Sequence, residues 1–268
     1  MIFKYKAYSN LLRDLGRADY VIELSEIAAR DFIKQMNETK SPEEFLKEKS
    51  QLYGILVSYD SSNTFQNQII LGYIATVYHL TENFFYELQS EYNQFSSEKW
   101  SFVSGKTKLD QVITFIKNKG RINHKDFIDD YLIDTFSYYH QLRVFFSHKS
   151  TTSENEIKNK WKKAHAHYNE VLLNKYRINS GPKILNQIDF EDFFLFTQIS
   201  KELALKISSL CYPPATELAK KKEIKKLNKY RSNKEKHYQG IENWLKTEYG
   251  FVKENDSDIL VDEIIAEL

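Results

Sequence analysis

Residues 126–147 read DFIDDYLIDTFSYYHQLRVFFS and predict one amphipathic α-helix. Large apolar side chains recur there at intervals of three and four residues, which places them on a single stripe about 120° wide. The stripe consists of Ile128, Leu132, Phe136, Tyr139, Leu142 and Phe146. A helix with so broad an aromatic face has to bury that face, so we expect residues 126–147 to lie in the core of a helical domain.

The rest of the chain also favours helices. Apolar spacing that includes Leu24 and Ile27 predicts one or two helices over residues 5–36, with Gly16 as a candidate break. The stretch SPEE at residues 41–44 supplies an N-cap serine, a proline at the first helical position and a glutamate three residues after the cap. Helices are therefore expected over residues 41–59, 64–92, 106–119, 157–173 and 189–211.

Composition supports the same fold class. The 268 residues include only eight Gly and four Pro, whereas a β-rich fold needs many tight turns. Aromatic residues make up 15% of the chain and provide the apolar surface for a sizeable core. We predict an all-α helical bundle of about five to seven helices in residues 1–212. An appended helical extension is expected in residues 213–268, after the proline pair Pro213 and Pro214.

The predicted extension is first basic and then acidic, although the whole chain carries a formal charge of only +1. Residues 218–237 contain eight Lys, one Arg and two Glu, and residues 238–268 contain eight acidic residues and two Lys. The basic run either contacts RNA phosphates or is a solvated linker that neutralises the acidic tail. The acidic tail is in turn a candidate docking segment for a partner protein.

Several classes of protein are not supported by the sequence. The single cysteine, Cys211, cannot form an intramolecular disulfide and fits a reducing cytoplasm. No apolar run of signal-peptide length opens the chain, and the charge-free residues 61–81 contain too many amides to favour a membrane span. Phosphate-binding glycine loops, GxSxG and HExxH are absent, so we expect no nucleotide hydrolase, no zinc protease, no metal and no cofactor.

The chemistry-bearing residues lie at the end of the aromatic helix, where Arg143 and His148 are separated by four residues. On a helical wheel Arg143 falls inside the apolar stripe, between Tyr139 and Phe136. A buried guanidinium needs compensation by a carboxylate, a partner subunit or an anionic ligand such as phosphate. On an ideal helix the side chain of His148 points about 140° away from that of Arg143. We therefore expect the helix to end near Ser147 and a loop to bring the imidazole of His148 back toward the arginine. The simpler alternative is a structural arginine and an exposed terminal histidine.

This arrangement resembles the HEPN superfamily, whose all-α domains carry Arg-x4-6-His at the end of a core helix. The resemblance covers about residues 64–211, in which ATVYHLTENFFYELQSEY is similar to the family's earlier long helix and IDFEDFFLFTQISKELALKIS to its closing helix. It implies metal-independent RNA cleavage at a site shared across a homodimer, with Arg143 and His148 as the catalytic residues. The family often has Asn directly after the arginine, whereas this chain has Val144, which weakens the expectation of catalysis.

Two further residues are candidates for support of this site. The resemblance implies that Glu82 is the acid that pairs with Arg143, and the alternative is a surface glutamate. His140 precedes Arg143 by about one helical turn and either joins the site or packs structurally. A basic stretch after the motif is expected either to contact RNA or to form a solvated helix face; its residues are Lys158, Lys160, Trp161, Lys162 and Lys163.

Three functions follow as hypotheses. The first is a HEPN-type endoribonuclease that acts as a toxin or antiviral defence effector on RNA, with tRNA among the candidate substrates and an antitoxin or defence-system protein as partner. The second is a non-catalytic HEPN-like module that binds nucleotide or RNA. The third is a helical interaction protein whose acidic tail docks a partner. All three describe a cytoplasmic protein with no membrane partner.

Overall fold

The chain is described by a computed structural model that covers residues 1–57, 62–95, 99–118, 128–148, 153–253 and 259–268. The structure is 77% helical, which confirms the all-α prediction, and the described ranges contain twelve α-helices and no β-strand. The helices are α1 (Lys6–Asn37), α2 (Pro42–Tyr53), α3 (Ser62–Phe95), α4 (Lys108–Asn118), α5 (Asp130–Ser147), α6 (Glu154–Ala166), α7 (Glu170–Tyr176), α8 (Phe190–Leu210), α9 (Ala215–Ala219), α10 (Lys222–Leu227), α11 (Lys234–Tyr249) and α12 (Leu260–Ala266). Within the described part of the chain, no helix has the length and apolarity needed to cross a membrane.

The chain forms two compact units, each assembled from separate segments. Unit 1 comprises Met1–Arg13, Leu80–Ile133 and Ser200–Leu268, and unit 2 comprises Asp14–His79 and Asp134–Ile199. The predicted division into residues 1–212 and 213–268 stays a prediction, but residues 213–268 pack within unit 1 together with the start of the chain.

Unit 1 joins the N-terminal residues to the end of the chain. Ile2 and Val252 form a short antiparallel bridge, and the ring of Phe3 stacks on that of Tyr249 with 4.6 Å between centroids. The buried Tyr5 hydroxyl donates a hydrogen bond of 2.7 Å to the carbonyl of Cys211. Apolar side chains of α11 and α12 are buried as well, together with Phe251 between these helices: Ile241, Leu245, Leu260, Val261 and Ile264. The acidic tail is therefore part of a packed core.

Unit 2 is organised by the aromatic helix that the sequence predicts. On α5, Tyr139 is fully buried, donates a hydrogen bond of 2.8 Å to Asp192 of α8 and packs on Phe196 with 4.7 Å between ring centroids. Tyr138 donates to the carbonyl oxygen of Lys183 at 2.5 Å. These bonds fix one side of α5 against α8 and against the loop that precedes α8.

Local sequence signals predict some helix ends correctly and others not. The Ser41 hydroxyl accepts from the backbone N–H of Glu44, as the SPEE stretch predicts, but α2 ends at Tyr53 because Gly54 adopts a left-handed conformation with φ of 65°. Of the one or two helices predicted over residues 5–36 the structure has one, since α1 continues through the candidate break at Gly16.

The single helix expected over residues 157–173 is instead two helices. The first, α6, begins earlier, at Glu154, behind a capping box formed by Ser153 and Glu156. The chain leaves the helix after Ala166, and the side chain of Asn169 then caps α7 by accepting from the N–H of Leu172. On α5, residues 128 and 129 precede the helix, while 126 and 127 lie outside the described residues.

Candidate functional site

Arg143 lies on the last turns of α5 and rests on an aromatic ring of α3. Its guanidinium carbon is 5.3 Å from the centroid of the Tyr78 ring, and Tyr78 itself is only 5% exposed. Arg143 is half-buried, so its side chain is only partly covered where the helical wheel predicts a position inside the apolar stripe. No carboxylate of the described residues forms an ion pair with Arg143; the face of the Tyr78 ring instead provides a cation–π interaction.

His140 packs on the same tyrosine ring. Its imidazole stacks on Tyr78 with 4.8 Å between centroids and 20° between planes. His140 and Arg143 are three residues apart on α5, which places them on neighbouring positions of one helix face. The structure therefore brings a guanidinium and an imidazole together on one tyrosine, and both remain partly open to solvent.

His148 is exposed at the end of the same helix. Its backbone N–H donates to the carbonyl oxygen of Val144 at 2.7 Å, so the helical hydrogen-bond pattern continues through residue 148. The side chains of Arg143 and His148 consequently point in directions about 140° apart around the helix axis. The loop expected to return the imidazole spans residues 149–152, which lie outside the described residues. The pairing of Arg143 with His148 stays a prediction.

Glu82 is half-buried on α3, one turn beyond Tyr78. It belongs to unit 1, whereas Arg143 belongs to unit 2. Its predicted role as the acid that orients Arg143 stays a prediction.

The basic stretch predicted to contact RNA forms most of α6. Lys158, Lys162 and Lys163 are exposed, whereas Lys160 and Trp161 are half-buried. Trp161 has a structural role that the sequence did not indicate: its indole N–H donates a hydrogen bond of 2.8 Å to the carbonyl of Pro182.

Two histidines also anchor α6. The ring nitrogen Nδ1 of His165 lies 3.1 Å from the same Pro182 oxygen, and Nε2 of His167 lies 2.8 Å from Oδ2 of Asp134 on α5. The helix is thus attached to α5 at one end and to the loop 177–183 along its length. Its lysines project from a fixed scaffold rather than from a mobile segment.

A cavity of about 580 Å³, which the sequence analysis did not predict, opens beside this loop. Its basic side chains are Arg30, Arg177 and Lys183, and the rings of Phe190 and Phe194 provide aromatic surface. The Arg30 guanidinium lies over the Phe190 ring, 5.8 Å from the centroid. The cavity also has acidic residues, Asp189 and Glu191.

The acidic groups at the cavity are engaged by neighbouring donors. Lys183 forms ion pairs with Asp189 and Glu191; burial lowers the pKa of its ammonium, but these two carboxylates outweigh that effect and raise it. Glu191 also accepts from the backbone and side-chain amides of Asn179. Within the described residues, by contrast, the buried Ser180 hydroxyl has no hydrogen-bond partner. The exposed guanidinium of Arg177 is therefore a group at the cavity that a ligand can reach.

Asp192 follows the cavity residue Glu191 in the chain and is buried. Among the described residues, no cation forms an ion pair with its carboxylate. Its carboxylate accepts hydrogen bonds from the backbone N–H groups of Lys183 and Asp189 and from the Tyr139 hydroxyl. Burial outweighs these bonds and raises the pKa of Asp192 from 3.8 to about 6. The carboxylate holds the loop and the start of α8 on α5, which is a structural rather than a catalytic role.

Comparison of the chain with protein-family models, with curated proteins and with solved structures finds no match. The resemblance to the HEPN superfamily consequently depends on the residues of the motif and on their helical context.

Proposed function

We propose that the protein is a metal-independent endoribonuclease of the HEPN type. The observation that carries the proposal is the half-buried Arg143, whose guanidinium lies on Tyr78 without a carboxylate partner among the described residues. A guanidinium held in this way keeps its N–H donors available for a phosphate, which it matches in a bidentate manner.

The proposed reaction is attack of an RNA 2′-hydroxyl on the adjacent phosphorus. The 2′-oxygen forms a bond to phosphorus while the bond to the 5′-oxygen of the next nucleotide breaks, which leaves a 2′,3′-cyclic phosphate and a free 5′-hydroxyl. A base accepts the 2′-hydroxyl proton and an acid protonates the leaving oxygen, and an imidazole suits either task near neutral pH.

Each side chain has a separate role in this proposal. Arg143 stabilises the negative charge that builds on the phosphate oxygens. His148 is the proposed acid or base, and the same residue of a second copy supplies the other proton transfer if the site is shared across a homodimer. His140 fixes the Tyr78 ring from one side and so positions Arg143. The exposed lysines of α6 contact the RNA backbone.

In the cell, such an activity would make the protein a toxin or antiviral defence effector, restrained by an antitoxin or another protein of a defence system. DNA is expected to resist cleavage because it lacks the attacking hydroxyl.

The test is cleavage of end-labelled single-stranded RNA and tRNA by the purified protein in EDTA. We expect products with cyclic phosphate ends, and Arg143→Ala or His148→Ala should abolish their formation. Arg13→Ala and His79→Ala, which change exposed residues of the same types, are matched controls that should retain activity. Full activity in both site variants, or a strict need for a divalent cation, would exclude the proposal.

The cavity beside loop 177–183 supports a second candidate, a non-catalytic module that binds nucleotide or RNA. The exposed guanidinium of Arg177 and two phenylalanine rings in one cavity match the phosphate and the base of a nucleotide. Val144, at the position where the HEPN family often has asparagine, also favours a non-catalytic module. Arg177→Ala should then weaken binding of a fluorescent RNA oligonucleotide by roughly five- to tenfold, with no cleavage in either protein. Cleavage in EDTA by the wild type would rule out this candidate.

A further inference from the structure

The first helix exposes an apolar face that the rest of unit 2 leaves uncovered. Tyr20, Val21, Leu24 and Ile27 are 66%, 59%, 50% and 64% exposed. The opposite face of α1 is buried through Leu15, Ile22 and Met36. The apolar spacing over residues 5–36 therefore combines two faces, and Leu24 and Ile27 do not belong to the core. Exposed apolar side chains grouped in this way mark an interaction surface.

The second helix also exposes apolar side chains near its end. The loop between α1 and α2 is short, and Phe45 of α2 packs on Phe32 of α1 with 5.3 Å between ring centroids, so α2 returns along α1 as a helical hairpin. Its last residues then lie beside the middle of α1. Apolar side chains at the end of α2 and just after it are exposed as well, namely Leu52, Tyr53, Ile55, Leu56 and Val57.

The charges that border the apolar face of α1 are opposite at its two ends. Arg17 lies two turns before Leu24 and Asp31 lies two turns after it, and all three fall within about 20° of one line along the helix. The Arg17 side chain is 75% exposed and contacts only Asp14 of the same helix, at 3.7 Å, among the described residues. Asp31 accepts a hydrogen bond from Gln35, one turn further along.

This pattern is self-complementary in one orientation. When two such helices overlap their apolar faces in an antiparallel manner about Leu24, Arg17 of each copy meets Asp31 of the other. A parallel overlap would instead place like charges together. Isologous contacts of this kind are the usual basis of two-fold dimers.

We propose that the exposed face of α1, defined as Tyr20, Val21, Leu24 and Ile27 with Arg17 and Asp31 at its ends, binds a second copy of this chain in antiparallel orientation. The proposal concerns assembly and does not depend on the ribonuclease activity. Leu24 lies at the two-fold axis of this dimer, so one substitution there changes the interface twice.

The test is the mass of the full chain in solution, measured by light scattering after size exclusion and by sedimentation velocity from about 1 to 100 μM. The wild type should be dimeric. Leu24→Glu brings two carboxylates together at the axis and should raise the dimer Kd by roughly tenfold or more. Val171→Glu is the matched control, because Val171 is an apolar residue of another helix, α7, and is 73% exposed.

A charge exchange tests the orientation. Arg17→Asp should weaken the dimer, and so should Asp31→Arg, whereas the double variant Arg17→Asp with Asp31→Arg should restore it. Circular dichroism of each variant shows whether the helices are retained. A monomeric wild type, a dimer that Leu24→Glu leaves intact, or a double variant no better than its parents would each overturn the proposal.

Discussion

Asp192 gives the sharpest prediction for stability, because a buried carboxylate with a raised pKa makes folding depend on pH. Below about pH 4 the carboxyl is protonated in both states. Between pH 4 and pH 6 the unfolded chain has lost this proton while the folded chain, with a pKa of about 6, still holds it. The unfolded state therefore binds fewer protons, and stability falls as the pH rises.

The magnitude follows from the two pKa values. A pKa of about 6 in the folded state against 3.8 in the unfolded state corresponds to about 3 kcal/mol, since each pKa unit is worth 1.36 kcal/mol. This loss is complete above about pH 7. It is a large fraction of the stability of an ordinary domain.

Urea denaturation of the wild type and of Asp192→Asn at pH values from 4 to 7.5 measures this effect. The amide costs stability at every pH, because it replaces an acceptor that faces the N–H of Asp189. The difference between the two proteins should nevertheless shift by about 2.5 kcal/mol in favour of the variant between pH 4 and pH 7, with most of the change below pH 6. Tyr139→Phe removes a hydrogen bond that lowers the pKa of Asp192 and should move the transition to higher pH. Parallel curves for wild type and Asp192→Asn would refute the argument.

Three further outcomes are expected. A Cβ at Gly181 would lie 2.8 Å from Cβ of Tyr168, so Gly181→Ala should destabilise the protein by about 1–3 kcal/mol in thermal melts, while Gly16→Ala, with open space around it, should stabilise it by about 0.5–1 kcal/mol. Tyr78→Leu should reduce RNA binding or cleavage by roughly fivefold or more, whereas Tyr78→Phe should retain most of it, because the ring face supports the site; equal activity of the two variants would argue against that role. Deletion of residues 238–268 should unfold unit 1, visible as lost cooperativity in denaturation, since that segment is buried in its core.

The fold was predictable where the signals are local. The cap at Ser41 and the aromatic stripe of α5 depend on spacing within one or two turns. The cap is present, and the stripe is buried from Ile128 to Leu142, whereas Phe146 at its end is half-buried. Of the two alternatives for residues 5–36, the single helix is the one formed, because a single glycine weakens a helix by only about 1 kcal/mol, which packing along 32 residues overcomes. The break at Asn169 was missed although asparagine is a strong N-cap, because the apolar spacing on either side resembles one helix.

The candidate site was predictable only in part. The position of Arg143 within the aromatic stripe follows from the helical wheel, so its partial burial could be anticipated. Tyr78, the ring on which Arg143 rests, lies 65 residues earlier on another helix, and nothing local distinguishes it among the 18 tyrosines. The cavity beside loop 177–183 likewise depends on contacts between segments distant in sequence. Spacing along a chain predicts which side chains lie on one face of a helix, but not which residues of other helices that face contacts.

Trp161 provides a built-in optical probe of this region. The other two tryptophans, Trp100 and Trp244, belong to unit 1, so Trp161 is the sole indole of unit 2. Its indole N–H donates a hydrogen bond to the carbonyl oxygen of Pro182, so a shift of the neighbouring loop should change its emission. With Trp100 and Trp244 replaced by phenylalanine, a simple emission spectrum would follow the loop as oligonucleotide is titrated, without any attached dye.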